Sequence, residues 1–128
     1  MFTPTNFLLV GIASAFGAWA RWVIGYFCHY IFPGLPYGSL AVNLLGGFLM
    51  GCSIAYFQSL SYMSEELKII INIGFLGGLT TFSAFTADLF HLFNKDQQVI
   101  AIFLMLGHVF GSLILAFLGW HLFNLILK

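Results

Sequence analysis

The sequence predicts an all-α membrane protein of four transmembrane helices, and three observations predict it. Of 128 residues, 61% are hydrophobic and only 6% are charged, with a mean hydropathy of +1.01. A soluble domain of this size cannot hide so much apolar surface, so the solvent has to be lipid. The apolar residues also fall into four separable runs, each long enough for the about 20 residues that cross roughly 30 Å of hydrocarbon. Turn and cap residues, not further apolar ones, separate the runs.

The rest of the composition removes other classes. Formal net charge is zero, which leaves no basic face for nucleic acid. Cys28 and Cys52 have neither CxxC nor metal-type spacing, so they read as small apolar fillers rather than a disulfide framework or zinc site. The N-terminus lacks the Lys or Arg that opens a secretory leader, although Ala13-Ser14-Ala15 follows an apolar run; it reads as the first span.

Taken in order, the first helix is expected over about residues 7–32, ending at the turn Pro33-Gly34-Leu35-Pro36. The second covers about 37–60. A polar patch from Ser61 to Lys68 follows, in which Ser64 suits an N-cap with Glu65 and Glu66 in the first turn. The third covers about 67–93 and stops at Asn94-Lys95-Asp96-Gln97-Gln98; the fourth covers about 98–127, before Lys128. The whole chain forms one transmembrane domain.

The third helix is expected to be broken at its centre. Gly77-Gly78 adds backbone entropy, and Thr80 and Thr81 lose side-chain freedom in a helix. A broken helix survives in a membrane only where it is buried in protein or lines a wet cavity, and such breaks are where membrane proteins hold ions. Orientation is weakly specified. Lys68, Lys95 and Lys128 are spread over the second loop, third loop and tail, so the positive-inside rule favours neither orientation strongly. A chain of this kind can insert both ways and form an antiparallel, dual-topology homodimer.

Small residues recur at helical spacing, at Gly47 and Gly51, Gly107 and Gly111, Gly11 and Ala15, and Ala13 and Gly17. These read first as packing faces. Polar residues at membrane depth need a reason, and the candidates are Arg21, Asn43, Asn72, Thr80, Thr81, Ser83, Asp88, His108 and Ser112. Asn43 either makes an interhelical hydrogen bond or turns its two N–H donors to an anion, and for Asn72 only the interhelical bond is argued. Phe82 and Phe85 share a face beside the break, where ring edges can solvate a small anion without a fixed charge. Arg21 either snorkels to an interface or focuses anions at a vestibule. Asp88 faces a vestibule if the helix resumes after the break, but reads first as an interfacial carboxylate near a helix end. His29, His91 and His121 fall near predicted ends, which argues against haem.

Three stretches in this order resemble the Fluc (CrcB-type) fluoride channels: Gly17-Ala18-Trp19-Ala20-Arg21-Trp22, then Gly38 to Phe48 (GSLAVNLLGGF), and Gly74 to Phe85 (GFLGGLTTFSAF). The resemblance covers essentially the whole chain, and its third stretch is the most specific. It implies an antiparallel homodimer with two fluoride pores in the plasma membrane (a bacterial inner membrane). It also implies a structural sodium ion at the dimer centre, held by the backbone carbonyls of Gly77 and Thr80. Hard carbonyl oxygens freed from helical bonding suit a hard cation. The implied fluoride pathway comprises Asn43, Phe82, Phe85, Ser83, Ser112 and Arg21. Two departures stand out. Ala84 replaces the later threonine of TTFSTF, and Leu104 and His108 stand where some relatives carry tyrosine and serine. His108 and Ser112 are i, i+4 and share a face, so His108 either supplies a lost donor, with pH-dependent conduction, or makes an interhelical bond.

The expected function is therefore passive, fluoride-selective anion export that lowers cytoplasmic fluoride. The sequence offers no catalytic constellation or nucleotide loop, so no enzyme is expected. The alternative is a small proton-coupled multidrug exporter, also a short dual-topology dimer. That alternative needs a first-helix carboxylate, which this chain lacks.

Overall fold

Pro4–Ile31, Tyr37–Ser59, Glu65–Asn94 and Gln98–Ile126 are each long and apolar enough to cross a membrane. They come from a computed structural model that describes residues 2–60, 62 and 64–127. Ser61, where the polar patch starts, and Lys128, the tail cation, lie outside the described residues.

The first span starts three residues earlier than the apolar run suggests, because its cap is polar. Thr3 Oγ1 accepts the Asn6 N–H at 3.1 Å, and Pro4 occupies the first turn, where its missing N–H removes no helical bond. The span ends at Phe32. Gly34 then takes φ +90°, a left-handed conformation open to glycine in the tight link to Tyr37.

The third span opens as its cap residues direct, with Ser64 Oγ accepting the Leu67 N–H at 3.3 Å and Glu65 and Glu66 in the first turn. Ile69–Leu76 then follows the wider i→i+5 hydrogen-bonding pattern. Gly77–Leu79 is regular helix, so the glycine pair does not itself interrupt the chain. The non-helical residues are Thr80 to Phe82, with Thr80 extended at φ −82°, ψ 160°. Threonine explains both edges of this interval. Thr80 Oγ1 bonds back to the Leu76 carbonyl at 2.9 Å, and Thr81 Oγ1 accepts the Ala84 N–H at 3.1 Å, capping the helix Ser83–Asn94. That helix closes in a Schellman arrangement. Asp96 is left-handed at φ 56°, the Gln97 N–H reaches the Leu92 carbonyl, and the Asp96 N–H reaches that of Phe93. The fourth span also has an i→i+5 stretch, Gly107–Gly111.

Packing runs in two pairs. The first span lies on the third, where a Cβ on Gly17 would strike the Phe75 carbonyl and one on Gly78 the Ser14 carbonyl. The second lies on the fourth, where a Cβ on Gly51 would strike the Ala116 carbonyl and one on Gly47 would come within 2.6 Å of the Ser112 carbonyl. The glycines thus allow close backbone approach, the main route to helix association in lipid. Gly11 is different, with nothing within 4 Å of an added Cβ. The apolar interior is thin. Val42, Leu76 and Leu79 form one cluster, and Leu92, Ala101 and Leu104 another.

Candidate functional site

Thr80 to Phe82 leave backbone groups that regular helix would consume, and two side chains from other spans meet them. In a continuous helix the Thr81 N–H would bond the Gly77 carbonyl. It goes instead to Asn43 Oδ1 at 2.8 Å, while Asn43 Nδ2 donates to the Thr81 carbonyl at 2.8 Å. The second span thereby makes a two-bond pairing with one residue of the third. Arg21 Nη1 from the first span donates to the Thr80 carbonyl at 3.0 Å. Arg21 thereby caps the helix end.

Asn43 has a further bond. Its Nδ2 lies 2.9 Å from His108 Nδ1 on the fourth span, so both amide protons expected to face an anion are engaged. His108 is buried, and its ring lies 4.3 Å from that of Phe85, tilted by 34°. The rings of Phe85 and Phe82 in turn lie in a T-shaped arrangement, 5.5 Å apart at 66°. Phe85 is buried, whereas Phe82 is 78% exposed and stands at the open side.

These groups line one cavity of about 520 Å³, with Gly77, Thr80 and Ser112 on its wall. Among the described residues, no Lys or Arg lines it. Among the same residues, His108 Nε2 and Ser112 Oγ are buried with no hydrogen-bond partner. An unpaired buried donor is costly, and each such group in a native fold asks for a reason.

The predicted site residues do not all converge. Asn43, Phe82, Phe85, His108, Ser112, Gly77 and Thr80 line this cavity. Ser83 does not; it is exposed, with its hydroxyl 3.3 Å from Thr81 Oγ1. Arg21 belongs to a second, smaller cavity of about 260 Å³ with His29, Ser39 and Asp88. There Ser39 Oγ donates to Asp88 Oδ2 at 2.5 Å, which ties the second span to the third. Asn72 likewise makes an interhelical bond, accepting from Ser53 Oγ at 2.6 Å. Thr81, noted in the sequence only as one polar residue at depth, lines both cavities and holds Asn43. Its signal was its place after Thr80, where a second β-branched cap residue would be misplaced inside a helix.

The residues present offer partial accommodation to a hard cation. The Gly77 carbonyl has lost its helical donor to Asn43, and Gly77 lines the cavity. The Thr80 carbonyl keeps one lone pair after accepting from Arg21, whose charge makes it the weaker ligand of the two. Among the described residues no group of three His, Cys, Asp or Glu side chains is gathered for a metal.

A family model for CrcB-like protein, Camphor Resistance (CrcB), matches residues 8–120. The chain belongs to the CrcB-like family. It is 45% identical over 118 residues to the fluoride-specific ion channel FluC of Aromatoleum aromaticum, covering 92% of this chain and 90% of that one. It is 40% identical over 115 residues to the protein of that name from Ralstonia pickettii, covering 90% and 91%. The corresponding protein of Dechloromonas aromatica is 42% identical over 114 residues, covering 89% and 84%. As a CrcB-like protein with four such spans, the chain is a multi-pass membrane protein.

Proposed function

We propose that this CrcB-like chain is a passive, fluoride-selective anion channel of the plasma membrane that lets accumulated fluoride leave the cytoplasm. The observation that carries the reading is the cavity itself, where the unpartnered groups of His108 and Ser112 share one wall with the Phe85–Phe82 pair. Fluoride is small and strongly hydrated, so a pore must replace its water with closely spaced donors and positive ring edges. A lining without Lys or Arg among the described residues favours permeation, since a fixed cation would hold the anion too tightly to release it. The names of the relatives point to the same ion.

In this reading two copies insert in opposite orientations as an antiparallel homodimer. The cavity is open on the side of Phe82 and Gly77, and a bared carbonyl facing hydrocarbon is costly, so a second copy covering that side satisfies it. A structural sodium ion between the copies would be held by Gly77 first and Thr80 second, supplying positive charge to the interrupted third helix. Arg21, Asp88, His29 and Ser39 then form an entry to the pathway, with Thr81 between that entry and the main cavity. Ser83 lies outside the lining and serves Thr81 rather than the ion.

The test uses purified protein in liposomes loaded with potassium fluoride, with valinomycin to release potassium and a fluoride electrode outside. Fluoride release at equal pH on both sides, unaltered by an imposed proton gradient, is the expected result. Transport that requires the gradient would support a proton-coupled exporter and overturn the channel.

A further inference from the structure

The geometry points to Asn43 as a positioning residue that fixes His108 as its Nε2–H tautomer, making that N–H, together with the Ser112 hydroxyl, the donor pair for a small anion. The inference rests on the proposed channel and names the groups that touch its ion.

Backbone donors and acceptors are unambiguous, and two of them orient the Asn43 amide. The Thr81 N–H can only donate, so the Asn43 atom 2.8 Å from it is the amide oxygen. The Thr81 carbonyl can only accept, so the atom 2.8 Å from it is the amide nitrogen. The second N–H of that amide then meets His108 Nδ1 at 2.9 Å, and Nδ1 must accept. A neutral imidazole that accepts at Nδ1 carries its proton at Nε2.

That proton has no acceptor among the described residues. Nε2 is buried, His108 is 6% exposed, and no described residue reaches the nitrogen. Ser112 Oγ, on the same cavity wall, is buried and equally unpartnered. Two idle donors one helical turn apart, with an aromatic ring tilted against the imidazole, suit a desolvated monovalent anion.

A second proton would disturb the pairing at Nδ1 but leave the proton on Nε2 in place, since both ring nitrogens are donors in imidazolium. Imidazolium would turn an Nδ1–H toward the Asn43 N–H, and relieving that clash requires breaking both bonds to Thr81. Charged groups on the spans packed around His108 are few. The second and fourth spans contain no Asp, Glu, Lys or Arg. On the third, Asp88 keeps its negative charge while accepting from Ser39, and on the first, Arg21 donates to the Thr80 carbonyl. Because Nε2 carries its proton in the neutral ring and in imidazolium alike, release by the parent should be flat from pH 8 to 5, about the range where imidazole titrates.

The test combines a spectrum with a pH profile. The protein carries 15N-histidine in liposomes, and the His108 signal is assigned by its absence in His108→Gln. The expected spectrum at neutral pH has pyrrole-type Nε2 and pyridine-type Nδ1, with the Nε2–H signal moving when fluoride is added. A proton on Nδ1, or an Nε2 signal unmoved by fluoride, overturns the inference without any variant. In Asn43→Asp the carboxylate accepts from Nδ1, so Nε2 offers a proton only when the ring is charged. Fluoride release by that variant should rise as pH falls while the parent stays flat; matching flat profiles overturn the inference. His108→Phe should slow release about tenfold, the equivalent of one hydrogen bond of about 1.4 kcal/mol to a charged group. His108→Gln, which restores an N–H, should exceed it, and equal rates count against the proposal. Failure of the parent to release fluoride at all would instead remove the channel reading.

Discussion

Phe82 and Phe85 are three residues apart in sequence but have unlike surroundings. Phe85 is buried against His108, and Phe82 stands exposed at the open side of the cavity. An edge contact of this kind is worth about 0.5–1.5 kcal/mol. Either Phe82→Ile or Phe85→Ile should therefore slow fluoride release from liposomes by about two- to tenfold. Unchanged rates in both would take the rings out of the mechanism. At this scale the sequence names most of the cavity wall, because polar residues at membrane depth are few and each needs a reason. It does not say what each one does. Sequence alone leaves Asn43 free to offer its N–H groups to an anion, yet its partners, Thr81 and His108, lie 38 and 65 residues away. Only the packing of three spans brings them together. Arg21 reads in sequence as either interfacial or vestibular, and its bond to the Thr80 carbonyl is equally invisible there.

At the scale of elements, the glycines decide which helices can touch. A Gly51→Val side chain would run into the Ala116 backbone, and Gly17→Val into that of Phe75, at a cost on the order of 1–3 kcal/mol each. Gly11→Ala meets nothing. Thermal unfolding in detergent should place the two valine variants well below the parent and Gly11→Ala beside it; three equal midpoints would refute the packing account. The four spans are legible because apolar run length is a direct physical requirement of the bilayer. The cap at Ser64 is legible too, since its hydroxyl and two acids need only local geometry. The start at Pro4 is not, because an apolar run cannot register a polar cap. The i→i+5 stretches at Ile69–Leu76 and Gly107–Gly111 carry no local composition signal, yet the second holds His108. The glycine pair looks like a break but stays helical, and Gly78 serves as a contact with the Ser14 backbone, because low helix propensity yields to tertiary packing.

For the whole molecule, the proposed dimer makes two predictions. In a Cys28→Ala, Cys52→Ala background, Gln97→Cys should be about half labelled by an impermeant thiol reagent in sealed vesicles, as dual topology requires. Complete or absent labelling would mean a single orientation. Replacing sodium throughout purification with a bulky organic cation should lower the unfolding midpoint if Gly77 and Thr80 hold the ion, and an unchanged midpoint would remove sodium from the dimer. The most direct measurement is selectivity. Liposomes carrying the purified chain and loaded with equal fluoride and chloride are followed with two ion-selective electrodes. A fluoride-selective channel gives rapid loss of fluoride with chloride retained, whereas parallel loss of both ions, or retention of both, would contradict it.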